Sequence, residues 1–364
     1  MITVGSNFGK NLKLSIFGES HGVGVGMVLD GFPPGMTVDH GKVRVDLDRR
    51  KPGMEAWSTP RKESDIPQVL GGIYNGRTTG APIAIFFENM DRKSEDYISS
   101  ELHYRPSHAD FTGMIRYSGF NDFRGGGHFS GRLTTGMVYA GSLAKQLLCQ
   151  KGITIDGHLS QVGTVKDISL EMALLNKGCL QIDFPMFSEQ SALAAKLEIE
   201  KARTALDSVG AEITISAQGM PAGIGNPIFE NIESHVASAL FAIPGVKGIS
   251  FGSGFDFAKL RGSEANDCFY ENEGAVRTKT NHNGGINGGI SNGMPIIVHV
   301  AIKPTPSIGI AQETLKENGE MEPLIIKGRH DPCIAPRALP VIESMFALAL
   351  LDLYMDVYQV KDIK

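Results

Sequence analysis

A layered α+β architecture is what this sequence predicts, on three observations. Strand-like and helical patterns are both present, they do not alternate in a regular strand-helix-strand order, and one glycine-proline signature occurs twice. Regular alternation would have pointed to a doubly wound parallel sheet instead. The strand-like runs are rich in β-branched residues, several with period-2 alternation: Leu12–Phe17, Val25–Leu29, Ile83–Phe87, Glu212–Ala217 and Ile296–Ile302. Helical periodicity marks Leu133–Gln150, Glu189–Leu206, Glu230–Ala242 and Leu339–Val357. For the second of these helices Ser188 is the expected N-cap, and Gly210, just past its end, the expected stop. The last overlaps the longest apolar stretch, Val341–Val357, where Glu343, Asp352 and Asp356 predict a buried amphipathic helix rather than a membrane span.

The repeated signature is Gly31-Phe-Pro-Pro-Gly-Met36 and Gly219-Met-Pro-Ala-Gly-Ile224, each directly after a strand-like run. It predicts two related halves facing each other around a pseudo-twofold. Coincident turn chemistry is the competing explanation, because Gly and Pro punctuate turns everywhere.

Composition sets the bounds on function. At 364 residues, 41% hydrophobic and 21% charged, the chain can bury a sizeable core without disulfides or metals. A net charge of −5 and a pI of about 6.1 give no global attraction to nucleic acid or anionic lipid, so any bound anion must be met by local arginines. Cys149, Cys179, Cys268 and Cys333 are scattered and form no CxxC pair, which predicts free thiols in a reducing cytoplasm. Met1 to Phe17 carries no readable secretory signal. The 44 glycines exceed the roughly 7% usual share, so many backbone positions must need positive φ or close approach.

Six segments carry candidate chemistry. Gly18-Glu-Ser-His21-Gly22 ends a strand with a histidine between small residues, a placement expected to display the ring rather than pack it and suited to proton transfer near neutral pH. Arg105-Pro-Ser-His108-Ala-Asp110 fixes a guanidinium relative to an imidazole, although an Arg105–Asp110 surface pair explains it equally well. Arg124-Gly-Gly-Gly-His128-Phe129-Ser130-Gly-Arg132 opens a helix with free backbone N–H groups, an anion-site pattern without the Lys-Ser/Thr of a Walker loop. Asp46 to Gly53 reads as a helix end running into the basic corner Arg49-Arg50-Lys51. Lys303-Pro304-Thr305-Pro306-Ser307 is a stiff turn bearing a cation and two hydroxyls. Gly328-Arg329-His330-Asp331 places three ionisable groups in a row, of which at most two can face one pocket.

Taken in order along essentially the whole chain, Phe17-Gly-Glu-Ser-His-Gly22, Arg105-Pro-Ser-His-Ala-Asp110, Arg124-Gly-Gly-Gly127, Lys303-Pro-Thr305 and Gly328-Arg-His-Asp331 closely resemble chorismate synthase. The resemblance implies one domain over residues 1–364, a β-α-β sandwich with helices between antiparallel sheets, and a homotetramer. It implies loss of phosphate and a C6 proton from 5-enolpyruvylshikimate 3-phosphate to give chorismate, with reduced FMN required despite no net redox change. Arg49, Arg50, Arg105, Arg132 and Arg337 would bind the substrate's phosphate and carboxylates. His21 would protonate the departing phosphate, His108 would protonate or stabilise the reduced flavin near N1, and Asp331 would work with flavin N5 in removing the C6 proton. FMN would be held by His128, Phe129, Ser130, Lys303, Thr305, Ser307, Arg329 and the Gly288 loop, with Pro244, Gly245, Pro304 and Pro306 beside it.

His128 and Phe129 depart from the Arg-Ser that many members carry before Ser130, and Ala56 replaces a further arginine that Arg61 or Lys62 would have to supply. The extra length of fungal members that reduce their own flavin with NADPH is missing, which implies an external flavin reductase. Two other classes compete: a metal-dependent phosphoester hydrolase using His21, His108, His330 and Asp331, disfavoured by the ligand spacing, and a non-catalytic phosphometabolite or nucleic-acid binding module, disfavoured for nucleic acid by the acidic pI and 7% aromatics.

Overall fold

Alternation of apolar and polar residues produces two antiparallel sheets, each with one apolar face. The computed structural model describes residues 5–53, 64–90, 103–170, 184–326 and 331–358. In the first sheet, β1 (Asn7–Phe8), β2 (Lys13–Gly18), β3 (Gly24–Asp30), β4 (Gln68–Gly71) and β5 (Ile83–Glu88) lie in the order β1-β2-β3-β5-β4. In the second, β6 (Thr154–Val162), β7 (Val165–Lys166), β8 (Ala211–Gln218), β9 (Val246–Phe251) and β10 (Ile296–Ile302) lie in the order β9-β10-β8-β6-β7. Register brings Leu14, Leu29 and Ile83 into one buried row, and Ile213 opposite both Leu159 and Val300 into another.

Helices fill the space between. Besides α1 (His40–Arg50) and the short α2 (Asp110–Arg116), the chain forms α3 (Thr134–Gln150), α4 (Glu189–Thr204), α5 (Ile232–Phe241) and α6 (Ala335–Val357). α3 packs on the first sheet, α6 on the second, and the two helices pack on each other, with α1 and α5 completing the layer. Their crossing is close because Gly141 has no side chain: a Cβ there would sit 2.2 Å from that of Ser344. The expected sandwich is therefore present. α6 is the one helix among the described residues long and apolar enough to cross a membrane, but 94% of that stretch is buried inside the protein. It is a core helix, enclosed on nearly every side rather than amphipathic.

Each half of the chain runs through the same sequence of elements: two paired strands, a helix, an edge strand, a short hairpin, a third main strand and a long helix. The halves are β2, β3, α1, β4, Ile73–Thr78, β5, α3 and β6, β8, α5, β9, Ile286–Ser291, β10, α6. The repeated glycine-proline signature makes the same bonds in both. Gly35 N–H donates to Thr78 O at 2.8 Å and Gly223 N–H to Ser291 O at 2.9 Å. The Thr78 hydroxyl donates to Pro33 O and accepts from Met36 N–H, and the Ser291 hydroxyl does the same with Pro221 and Ile224. Turn coincidence alone does not reproduce this set.

Helix ends supply the corrections. Ser188 caps α4 as expected, accepting from Ser191 N–H at 3.2 Å. The stop is not Gly210: α4 ends at Thr204, and Leu206 takes the left-handed conformation at φ 57°. Gly210 lies six residues past the last helical one because its role is close approach, a Cβ there falling 2.9 Å from Ile302 O. α6 starts at Ala335 instead of Leu339, with Pro336 and Pro340 both accommodated, the first in the opening turn where no N–H is needed.

Candidate active site

His21 lies in the tight turn between β2 and β3, and it is packed, not displayed: only 7% of its surface is exposed. The reason is Gly125, at φ +60°, whose missing side chain leaves room for the ring; a Cβ there would fall 2.0 Å from His21 Cε1. The glycine-rich 124–132 segment thus backs the histidine, and Ser20 N–H reaches Gly127 O at 3.2 Å. Asn89, just past β5, binds the other side of the turn. Its Nδ2 donates to the carbonyls of Glu19 (3.0 Å), Ser20 (3.0 Å) and Gly22 (3.1 Å), and its Oδ1 accepts from Arg132 Nε at 2.9 Å.

Beside that turn three arginines converge. Arg50, the last residue of α1, and Arg132 each pair with one oxygen of the buried Asp65, and Arg132 Nη2 also reaches Glu88 O at 3.1 Å. Burial pushes the Asp65 carboxyl up, but the charges of Arg50 and Arg132 outweigh it and hold the group below the usual range. Arg337, in the first turn of α6, donates from Nε to Arg50 O at 3.1 Å and from Nη1 to Asp331 Oδ2 at 2.5 Å. Among the described residues, three guanidiniums gather on the carboxylates of Asp65 and Asp331, bringing forked donors together at one place.

A second group adjoins Asp331. Pro332 O accepts from Val209 N–H at 2.9 Å, Ser208 Oγ donates to Thr305 O at 2.7 Å, and Lys303 N–H donates to Gly245 O at 2.9 Å. His108 closes this group: Nδ1 stands 2.9 Å from Pro106 O and Nε2 2.9 Å from Ser307 Oγ. A carbonyl only accepts, so neutral His108 carries its proton on Nδ1 and its Nε2 accepts from Ser307. Burial, then the nearby Arg105, pulls its pKa below the usual histidine value. Lys303 Nζ donates to Ser107 O at 2.8 Å, and burial with the neighbouring Lys247 lowers its pKa.

Other expected residues are engaged elsewhere. Arg49 forms a bidentate pair with Glu343 at 2.7 and 2.8 Å, inside a cluster that includes Asp46 and Lys145, so it ties α1 to α6. Arg105 is taken by Asp110 through three hydrogen bonds of 2.7–3.0 Å, the pairing the sequence offered as an alternative, but with both side chains largely buried rather than at the surface. His128 bonds Gly18 O and Ser6 Oγ, Phe129 stands edge-on to Tyr117, and Ser130 Oγ accepts from Arg132 N–H. With Glu19 and Asp122, His128 and Phe129 border a cleft of about 270 Å³. Gly288 sits at the tip of the 286–291 hairpin, and Pro244 and Gly245 lead into β9 beside Lys303. Ala56, Arg61, Lys62, Arg329 and His330 lie outside the described residues.

Asp65, Asn89 and the pairing of Glu343 with Arg49 escaped the sequence reading. Asp65 and Glu343 have no local signature, since their arginine partners are 15, 67 and 294 residues away. Asn89 had one weak signal, a polar amide directly after an apolar strand.

Known proteins match this chain throughout. The sequence pattern of the family described as chorismate synthase covers residues 12–355. The chorismate synthase of Thermococcus kodakarensis is 47% identical over 347 residues, 94% of this chain and 96% of that one. That of Pyrococcus abyssi is 47% identical over 360 residues, 97% and 99% of the two chains. A crystal structure of chorismate synthase superposes with a TM-score of 0.74 at 24% identity, covering 98% of this chain and 96% of that one, which bears on the fold alone.

Proposed function

Because the chain belongs to the chorismate synthase family, we propose that it converts 5-enolpyruvylshikimate 3-phosphate to chorismate by anti-1,4-elimination, with reduced FMN bound beside the substrate. The observation that carries the reading is the convergence of Arg50, Arg132 and Arg337 on Asp65 and Asp331, directly beside the His21 turn. The substrate is a phosphate with two carboxylates, and forked guanidiniums match both groups. In the reaction the C6–H bond breaks and its electron pair forms a new ring double bond, the existing double bond shifts, and the C–O bond to phosphate breaks with its electron pair leaving on phosphate. His21 gives its proton to the departing phosphate. Asp331 takes part in removing the C6 proton; an anionic substrate that claims Arg337 loosens its pairing with the Asp331 carboxylate. Arg49 and Arg105, tied to Glu343 and Asp110, reach the substrate only by exchanging those partners.

The residues around His108 suit a flavin. Thr305 Oγ1 is buried with no hydrogen-bond partner, and it sits among Lys303, Ser307 and Ser208, a donor set fitted to the polar edge and phosphate of FMN. Lys303, Thr305, Ser307, Ser130 and the Gly245 corner would hold it, with Arg329 and the Gly288 loop added by the family resemblance. Reduced FMN, when bound, supplies electron density to the allylic system as phosphate departs. His108 would lie near N1 of the ring, its Nε2 able to accept a hydrogen bond there when the imidazole is neutral and to donate one when it is protonated, once Ser307 turns aside. The enzyme works as a cytoplasmic homotetramer of one-domain chains supplied with reduced flavin by a separate reductase. Anaerobic mixing with the substrate and reduced FMN is expected to give chorismate and phosphate, and oxidised FMN to give neither. Product formed regardless of flavin redox state would overturn the reading.

A further inference from the structure

We propose that Asn89 is a positioning residue that holds the His21 turn in its reactive geometry. The inference rests on the role given to His21 above. Asn89 is 3% exposed, and its backbone N–H donates to Val23 O at 3.1 Å, which fixes its Cα against the far side of the same turn. Its side-chain orientation follows from chemistry. Arg132 Nε only donates, so the amide oxygen must face it, and the amide nitrogen must face the carbonyls of Glu19, Ser20 and Gly22. Two N–H groups meet three acceptors, so at least one is shared, and a small rotation would break the set. The residue gathers carbonyls flanking His21 on both sides while Gly125 backs the ring. Arg132 keeps Asp65 and Glu88 O without Asn89, so losing the amide disturbs the His21 turn more than the anion site.

The test is a double-mutant cycle in anaerobic steady-state kinetics of the full enzyme with reduced FMN. Asn89→Ala is expected to lower kcat about 10- to 100-fold, the scale of an ångström-level misplacement, with KM changed less than about threefold. In a His21→Ala background the same substitution should cost less than about threefold, because the group it positions is gone. An equal cost in both backgrounds overturns this proposal alone, whereas a harmless His21→Ala overturns the role of His21 and this proposal with it. Asn89→Asp separates the two sides of the amide: it keeps an oxygen for Arg132 but offers no donor to the three carbonyls. It should behave as Asn89→Ala, and normal turnover would show that Arg132 was the relevant partner. Should neither variant fold, high-resolution diffraction of the unmodified, substrate-bound enzyme decides: an amide nitrogen on the three carbonyls supports the proposal, and one turned away overturns it.

Discussion

The two halves of the chain share their element order but connect it differently, and the candidate site lies where they differ. In the first half β2 and β3 are joined by the tight turn that carries His21; in the second the corresponding strands, β6 and β8, are separated by β7 and α4. α1 runs out into Arg49-Arg50-Lys51, while α5 runs out into Phe241-Ala242-Ile243. Three residues before the edge strand stands buried Asp65 in one half and buried Ile243 in the other. Histidines follow the same division. His21 sits in a turn, whereas His158 and His299 flank Thr214 within the second sheet. On the proposed mechanism, a duplicated scaffold carries its proton-transfer and anion-binding groups in connections and helix ends, and the repeated strands hold them apart.

The largest expected effect breaks that division if it is wrong. His21→Ala and Asp331→Ala should each reduce turnover by roughly two to four orders of magnitude, the usual worth of a positioned proton-transfer group. His158→Gln, in the repeated sheet, should leave turnover within about threefold. Comparable losses for His21 and His158 in anaerobic assays would mean that the connections hold no special place.

Next in size is Asp65→Ala. It takes the shared carboxylate from two guanidiniums that are 5% and 7% exposed, and removing one partner of a buried pair costs about 3–5 kcal/mol. Urea unfolding should show that loss, and inorganic phosphate should restore part of it by binding the uncovered arginines. Ile243→Val, at the matching place, should cost about 0.5–1.5 kcal/mol and gain nothing from phosphate. Equal responses to phosphate would remove the electrostatic contrast.

Legibility follows the same contrast. β2, β3, β5, β8 and β10 and four of the helices could be read because alternation and helical periodicity are local, and the duplication because its glycine-proline turn is local too. β6 and β9 could not: Asp156, Gly157 and His158 interrupt the apolar pattern of the one, and Lys247 and Gly248 that of the other. At the site, His21, His108 and the basic corner announced themselves by residue type. What they touch did not, because Asp65 joins Arg50 to Arg132 through the fold rather than along the chain. The same long-range pairing turned Arg49 toward Glu343.

Acid should weaken the second sheet through a group the first sheet lacks. His158 is 1% exposed, packed against Phe187 with ring centroids 4.6 Å apart, and burial lowers its pKa to about 4; Asp167 and the Ile168 backbone oppose that, and His299 adds to it. The unfolded chain takes up this proton near pH 6.5, well before the folded one does. Stability is therefore complete above pH 6.5 and is lost as pH falls toward 4, by roughly 3 kcal/mol in all. His108 is shifted in the same direction, burial first and Arg105 second, and adds a smaller part of the same sign. Carboxylates held low by their partners, Asp65 and Asp352 among them, lose their contribution only as pH falls below the ordinary carboxylate range. Urea midpoints between pH 7.5 and 4.5 should fall in the unmodified chain and fall much less in His158→Gln. If the slope is unchanged in that variant, the acid sensitivity belongs to the site histidines, and the second sheet is as indifferent to pH as the first.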